Sequence, residues 1–171
     1  MSTIGVSIAV PEPWGSELQQ YRIDVGDESA EGIPTHVTLL PPYVVDDEHL
    51  DRVVAHLEEA ARGAEPFGMH LRGTGTFRPV SPVVFVNVVE GIGSCEQLAS
   101  AVRRGPLAVE SEFPFHPHVT IAHDLPEAEL ERAFVELGTY DASFEVDRMW
   151  LYLHQPGTGW LPTRSFPLGS G

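Results

Sequence analysis

A chain of 171 residues, 42% hydrophobic and 20% charged, is globular, long enough to bury one full core and too short for two ordinary independent domains. Its formal net charge of −15 sets 25 Asp and Glu against ten basic residues, all of them arginine. A field of that sign repels a long RNA or DNA, whose affinity is built from cations that neutralise phosphates. The lone cysteine, Cys95, excludes an internal disulfide and any CxxC metal knuckle. No run approaches the roughly 20 apolar residues that span a bilayer, and no basic leader precedes the apolar stretch Ile4 to Val10, so we expect a cytoplasmic protein with no membrane partner.

In chain order the sequence predicts a strand over Ile4 to Val10, a short helix over Ser16 to Tyr21 and a strand over His36 to Leu40. A helix follows from Asp47 to Arg62, because Leu50, Val53, Val54, Leu57 and Ala61 recur at helical spacing and Gly63 stands just past its end. Strands are expected over Phe67 to Phe77 and Val83 to Val89, several bounded by Pro and Gly. Ser94 to Arg104 reads as a helix opened by a capping box, Ser94-x-x-Gln97, and closed by Gly105-Pro106. After a strand at His118 to His123, Leu130, Ala133, Phe134 and Leu137 mark a helix over Leu125 to Leu137 with Pro126 in its first turn and Gly138 as its stop. One strand over Phe144 to Leu153 and a short one near Thr163 to Pro167 complete the chain.

Two of these strands open almost identically, His36-Val37-Thr38-Leu39 and His118-Val119-Thr120-Ile121. The segment after each reads strand, helix, long strand, strand, so the tetrapeptides mark the same place in two copies of one supersecondary unit. Alternation puts His and Thr of each motif on one face and the aliphatic residues on the other, half site and half core. Two imidazoles on opposite walls of one cleft suit a reaction that needs a base and an acid in one turnover. Two Thr hydroxyls beside them suit hydrogen bonding to the non-bridging oxygens of a phosphoryl group. The scheme requires no metal and no cofactor, and fits cleavage or formation of a phosphodiester.

With both motifs quoted, the chain resembles the two-histidine (2H) phosphoesterase superfamily, in its 2′-5′ RNA ligase-like and 2′,3′-cyclic phosphodiesterase branch. The strand at Ile4 to Val10, Gly75-Thr76-Phe77 before the apolar run Val83 to Val88, and Phe115-His116-Pro117 before the second motif add to the likeness, which covers nearly the whole chain. The resemblance implies an α+β bilobal pseudo-twofold fold, 1–171 as one domain, with two antiparallel sheets lining a central cleft and helices packed outside. It also implies that His36 and His118 are the catalytic pair, that Thr38 and Thr120 hold the phosphate, and that a 2′,3′-cyclic phosphodiester is hydrolysed to a 2′-phosphate. Relatives often carry Arg shortly after the second motif, where this chain has Ala122-His123-Asp124.

Further candidates come from strand parity and proximity. If Phe144, Val146, Arg148, Trp150 and Tyr152 share one face, Trp150 or Tyr152 lines the concave side, Phe77 or Tyr43 the opposite wall, and Arg148 and Arg78 are the arginines for phosphate. His118 is expected to act as base and His36 as acid. A zinc site of His36, His116 and His118 is a minor alternative, disfavoured by Pro117 and the lack of a carboxylate partner. The expected partner is a small cyclic nucleotide or short RNA end, met by a monomer, with ligation of 2′-5′ RNA or a non-catalytic nucleotide-binding module as alternatives. His49, His56 and His70 are expected to be solvated, and His154 to lie in a loop.

Overall fold

The computed structural model describes residues 1–110 and 114–169. Its elements are β1 (Ser2–Ala9), α1 (Trp14–Asp24), β2 (His36–Val45), α2 (Leu50–Arg62), β3 (Phe67–Thr76), β4 (Val83–Glu90), α3 (Ile92–Val102), β5 (His118–His123), α4 (Glu127–Glu136), β6 (Asp141–Val146), β7 (Arg148–Gln155) and β8 (Gly159–Pro167). They form two four-stranded sheets, β2-β1-β7-β8 and β5-β4-β3-β6, with every pairing antiparallel. In each sheet the motif strand, β2 or β5, is an edge, and the two edges approach one another.

The sheet orders superimpose under exchange of β1 with β4, β2 with β5, β7 with β3 and β8 with β6. The repeated unit is therefore β1-α1-β2-α2-β3 against β4-α3-β5-α4-β7, with β6 inserted between α4 and β7 of the second copy, and it begins before the motif rather than at it. The third strand of each copy crosses over: β3 pairs with β4 of the second copy, and β7 pairs with β1 of the first. Each copy's first helix also reaches across, α1 touching β5 and α3 touching β2. The two halves are interleaved, so the motif strands are held in register by elements of both.

This exchange corrects the single strand expected over Phe144 to Leu153. Ala142, Phe144 and Val146 belong to a strand paired with β3, whereas Met149 and Leu151 are buried in the other sheet. Asp147 and Arg148 are both exposed, so the alternation changes parity between them. Val146 and Tyr152 consequently do not share a face. The Asp147 carbonyl, outside both ladders, accepts from the Leu168 amide at 2.9 Å.

The helices follow their apolar stripes. In α2 the buried residues are Val53, Leu57 and Ala61, spaced four apart as a helix with one core face requires. The first turn expected at Asp47 is a short 3-10 turn, Asp47–His49, preceding it. Helix α3 starts at Ile92, two residues early, because Gly91 at φ +95° turns the chain into it, a left-handed conformation that glycine adopts without a Cβ penalty. The Ser94 side chain makes no capping bond. Helix α1 extends three residues beyond Tyr21 to Asp24.

Both motifs carry a β-bulge at the same place. Along β1–β2, Ser7 pairs with Thr38 and Val6 with Leu40, leaving Leu39 extra; along β4–β5, Phe85 pairs with Thr120 and Val84 with Ala122, leaving Ile121 extra. Such an insertion bends a strand and re-aims its side chains. Here it lets two consecutive residues, Leu39-Leu40 and Ile121-Ala122, all be buried. The carbonyl of the extra residue Leu39 accepts from Arg103 Nε at 2.8 Å, and Arg103 also lies 5.3 Å from the centre of the Phe115 ring.

Candidate active site

The two motif faces open into one cavity of about 410 Å³ whose wall includes His36, Thr38, His118 and Thr120. Val37, Leu39, Val119 and Ile121 point the other way and are fully buried, so each strand has a core side and a cavity side. The imidazoles are held identically. His36 Nδ1 lies 2.6 Å from the carbonyl of Pro34, and His118 Nδ1 lies 2.7 Å from the carbonyl of His116, in each case two residues upstream. A carbonyl only accepts, so both Nδ1 atoms carry the proton, which leaves each Nε2 lone pair free in the neutral ring.

Burial lowers the pKa of both imidazoles from the ordinary value near 6.5. For His36 the bond to Pro34 opposes this and the charge of Arg22 reinforces it. For His118 the bond to His116 opposes it, while His116 and His36 reinforce it. Both are neutral at pH 7, and a proton taken by one discourages a second.

Aromatic packing fixes His118. The Phe77 ring meets it edge-on at 5.1 Å and 89°, Phe85 lies 5.1 Å away, and His116 contacts the same two phenylalanines at 5.5 and 5.2 Å. His116 is thus part of the support for His118 and does not line the cavity. Among the described residues the one cluster with metal-ligand spacing is the exposed Asp46, Glu48 and His49, outside the cavity. His36, His116 and His118 do not gather in that way, so the residues do not fit the zinc alternative. His56 is not solvated as expected, since its Nε2 lies 2.9 Å from the Val102 carbonyl, and His70 Nε2 lies 2.9 Å from Asp141.

Of the other residues singled out from sequence, Phe77 and Tyr152 border the cavity, and burial pushes the Tyr152 phenol up to about 12. Tyr43, Arg78, Arg148 and Trp150 lie outside it. Tyr43 packs at the core margin, four residues past the bulge at Leu39. Arg78 is drawn aside by Glu127 at 2.7 Å and Glu131 at 3.6 Å, over the ring of Phe134. Arg148 sits exposed at the sheet-changing corner beside Asp147, at 3.1 Å. Trp150 pairs with Ser7 and Ser165, one step along β7 from the cavity.

The structure adds Ser7, Arg22, His123 and Trp160 to the wall. Ser7 lies directly across the ladder from Thr38, which brings a third hydroxyl to the motif face. The Trp160 indole lies against β1 at Gly5, where a Cβ would come within 3.4 Å of the ring. Sequence alternation could have found Ser7, since it shares a face with Gly5 on the strand next to the first motif. Trp160 carried no signal, because the short last strand was placed from Thr163 onward. Among the described residues no Asp or Glu borders the cavity, although the chain has 25 of them.

Paired His-x-Thr edges facing one cavity in two interleaved halves define a phosphoesterase-type fold, and comparison with known proteins places it. The 2′-5′ RNA ligase superfamily model matches residues 10–158, and the chain belongs to that family. A protein named "putative phosphoesterase" from Bacillus cytotoxicus is 32% identical over 141 residues, 81% of each chain. Among solved structures, E. coli LigT complexed with 3′-AMP matches with a TM-score of 0.71 at 22% identity over 98% of each chain. A Thermus thermophilus protein matches with a TM-score of 0.65 at 22% identity over the whole of both chains. LigT has also been crystallised with NADP+, with phosphate and with ATP.

Proposed function

We propose that the chain hydrolyses 2′,3′-cyclic nucleotides, or the corresponding RNA ends, to 2′-phosphates by acid–base catalysis between His36 and His118. The observation that carries this reading is the pair of imidazoles on one cavity, each with its Nε2 freed by an Nδ1 bond to the carbonyl two residues upstream. Water attacks phosphorus, one Nε2 takes its proton, and the other imidazolium protonates O3′ as the P–O3′ bond breaks, leaving the phosphate on O2′. Thr38 and Thr120 donate to the non-bridging oxygens as charge grows on them. The cation beside His36 disfavours a second positive charge there. His116 and His36 do the same at His118, so the couple carries a single proton, and we assign His118 as the base for water and His36 as the acid for O3′.

The relatives' names and the small-molecule complexes of LigT support a nucleotide phosphodiester as substrate class. A cavity of about 410 Å³ suits a mononucleotide, and Tyr152 and Trp160 offer an apolar wall for its base or ribose. The −15 charge weighs against ligation of long RNA. Incubation with the four 2′,3′-cyclic mononucleotides should release 2′-phosphates. The profile of kcat/KM, which reports free enzyme, should be a bell centred below pH 6.5 because both imidazoles are depressed. The profile of kcat should move to higher pH, since bound phosphodiester favours imidazolium. No release of 2′-phosphate from any of the four would sink the reading, and tight 2′-AMP binding without turnover would indicate a binding module.

A further inference from the structure

Neither motif strand brings an arginine to the cavity: the residue after the first motif is Leu40, and Ala122-His123-Asp124 follow the second, with His123 on the wall. Of the ten arginines, Arg22 is the one that borders it among the described residues. It comes from α1, the helix that crosses from the first copy to β5 of the second. Its side chain is 7% exposed, its Nη2 donates to Asp27 Oδ2 at 2.7 Å, and its Nε has no partner among the described residues. A guanidinium offers five N–H donors in a planar fork, and one contact to one carboxylate oxygen leaves most of that capacity uncommitted. A buried cation so poorly satisfied costs stability unless another acceptor completes its shell.

Asp27 is equipped to orient it. Burial pushes the Asp27 carboxyl up, but bonds from Ser29 and Arg22 and the charge of Arg22 outweigh that and hold it below the usual range. It therefore stays ionised against Nη2. The Arg22–Asp27 pair is formally neutral, so an anion would be held through directed hydrogen bonds at short range. The charge of Arg22 reaches His36 on the cavity wall, and among the described residues no carboxylate borders the cavity to compete.

We propose that Arg22 is the anion anchor of this site: oriented by Asp27, its guanidinium turns its uncommitted donors onto a non-bridging oxygen of the phosphodiester, supplying from α1 the permanent cation that neither motif strand provides. This rests on the nucleotide phosphodiester reading, and Asp27 is a positioning residue that does not touch substrate. Arg22→Met alone would strand the buried Asp27, so the test pairs it with the double variant Arg22→Met/Asp27→Leu, which removes both charges. The double variant should fold, bind 2′-AMP about 10- to 100-fold more weakly by calorimetry, and show KM for a 2′,3′-cyclic nucleotide raised in similar proportion. Arg22→Lys, keeping the charge without the fork, should lose part of that affinity.

If the pair is only structural, the double variant binds 2′-AMP as the wild type does, which overturns the proposal. Should it fail to fold, the unmutated protein decides: the Arg22 Nε–H NMR signal must shift on addition of inorganic phosphate or 2′-AMP, and a signal unmoved by both overturns the proposal. The two readings separate cleanly. Absence of turnover with Arg22-dependent 2′-AMP binding removes the hydrolase and leaves the anchor, whereas wild-type KM in the double variant removes the anchor and leaves the hydrolase.

Discussion

Replacing either His36 or His118 by alanine should lower kcat for a 2′,3′-cyclic nucleotide about 10²- to 10⁴-fold, the range expected when a positioned acid or base is removed. The two losses should not add, because base and acid act in one transition state and the second substitution takes away a group already idle. Asparagine is the sharper probe. Its amide nitrogen can still donate to the carbonyl of Pro34 or His116, the partners that hold the imidazoles, but it has no group that titrates near neutrality. His36→Asn and His118→Asn should therefore match the alanine variants in rate while unfolding at the wild-type temperature. Activity within tenfold of wild type in the His36→Ala/His118→Ala double variant, measured by release of 2′-phosphate, would remove both residues from the mechanism.

The threonines should cost nearly as much. Valine has the shape of threonine and the same preference for a strand, so Thr38→Val and Thr120→Val delete a hydroxyl and little else. Each should lower kcat about 10²- to 10³-fold, as loss of one hydrogen-bond donor to developing negative charge does elsewhere, with KM changed far less. Thr38 has Ser7 opposite it on β1, a hydroxyl that can partly stand in, whereas Thr120 is paired with Phe85. The loss at Thr120 should accordingly be the larger. A raised KM with kcat unchanged would show that the hydroxyls bind ground state and transition state alike.

Much of this site could be read in the sequence because it obeys strand parity. His36 and Thr38, and His118 and Thr120, face the cavity while the intervening aliphatics are fully buried, as a period of two requires. The elements before and after each motif were also legible from apolar spacing and Gly/Pro punctuation. What parity could not reveal is where it is broken. The bulges at Leu39 and Ile121 and the corner at Asp147-Arg148 each shift the alternation by one, and a bulge has no residue signature when no glycine is needed. Reading through the corner as one strand put Phe144 and Val146 on the face of Arg148, Trp150 and Tyr152, and starting the last strand at Thr163 left Trp160 unseen.

Arg22 escaped for a different reason. A charged residue near the end of a weakly amphipathic helix reads as solvated, and only tertiary contact reveals that α1 carries it across to the second copy of the repeat. Arg78 was the mirror case: it lies close to Phe77 in sequence, yet acidic side chains of α4, Glu127 and Glu131, hold it away from the cavity. In a chain with 25 carboxylates most exposed arginines find one. The informative cation is the one whose carboxylate leaves donors to spare.

The pair-catalysis account is tested most directly by a crystal structure of the protein with 2′-AMP bound. Its phosphate should sit between the two motifs, with His36 Nε2 and His118 Nε2 each about 3 Å from a phosphate oxygen and both threonine hydroxyls donating to the others. A phosphate bound at one histidine with the other turned away, or bound outside the cavity altogether, would contradict it.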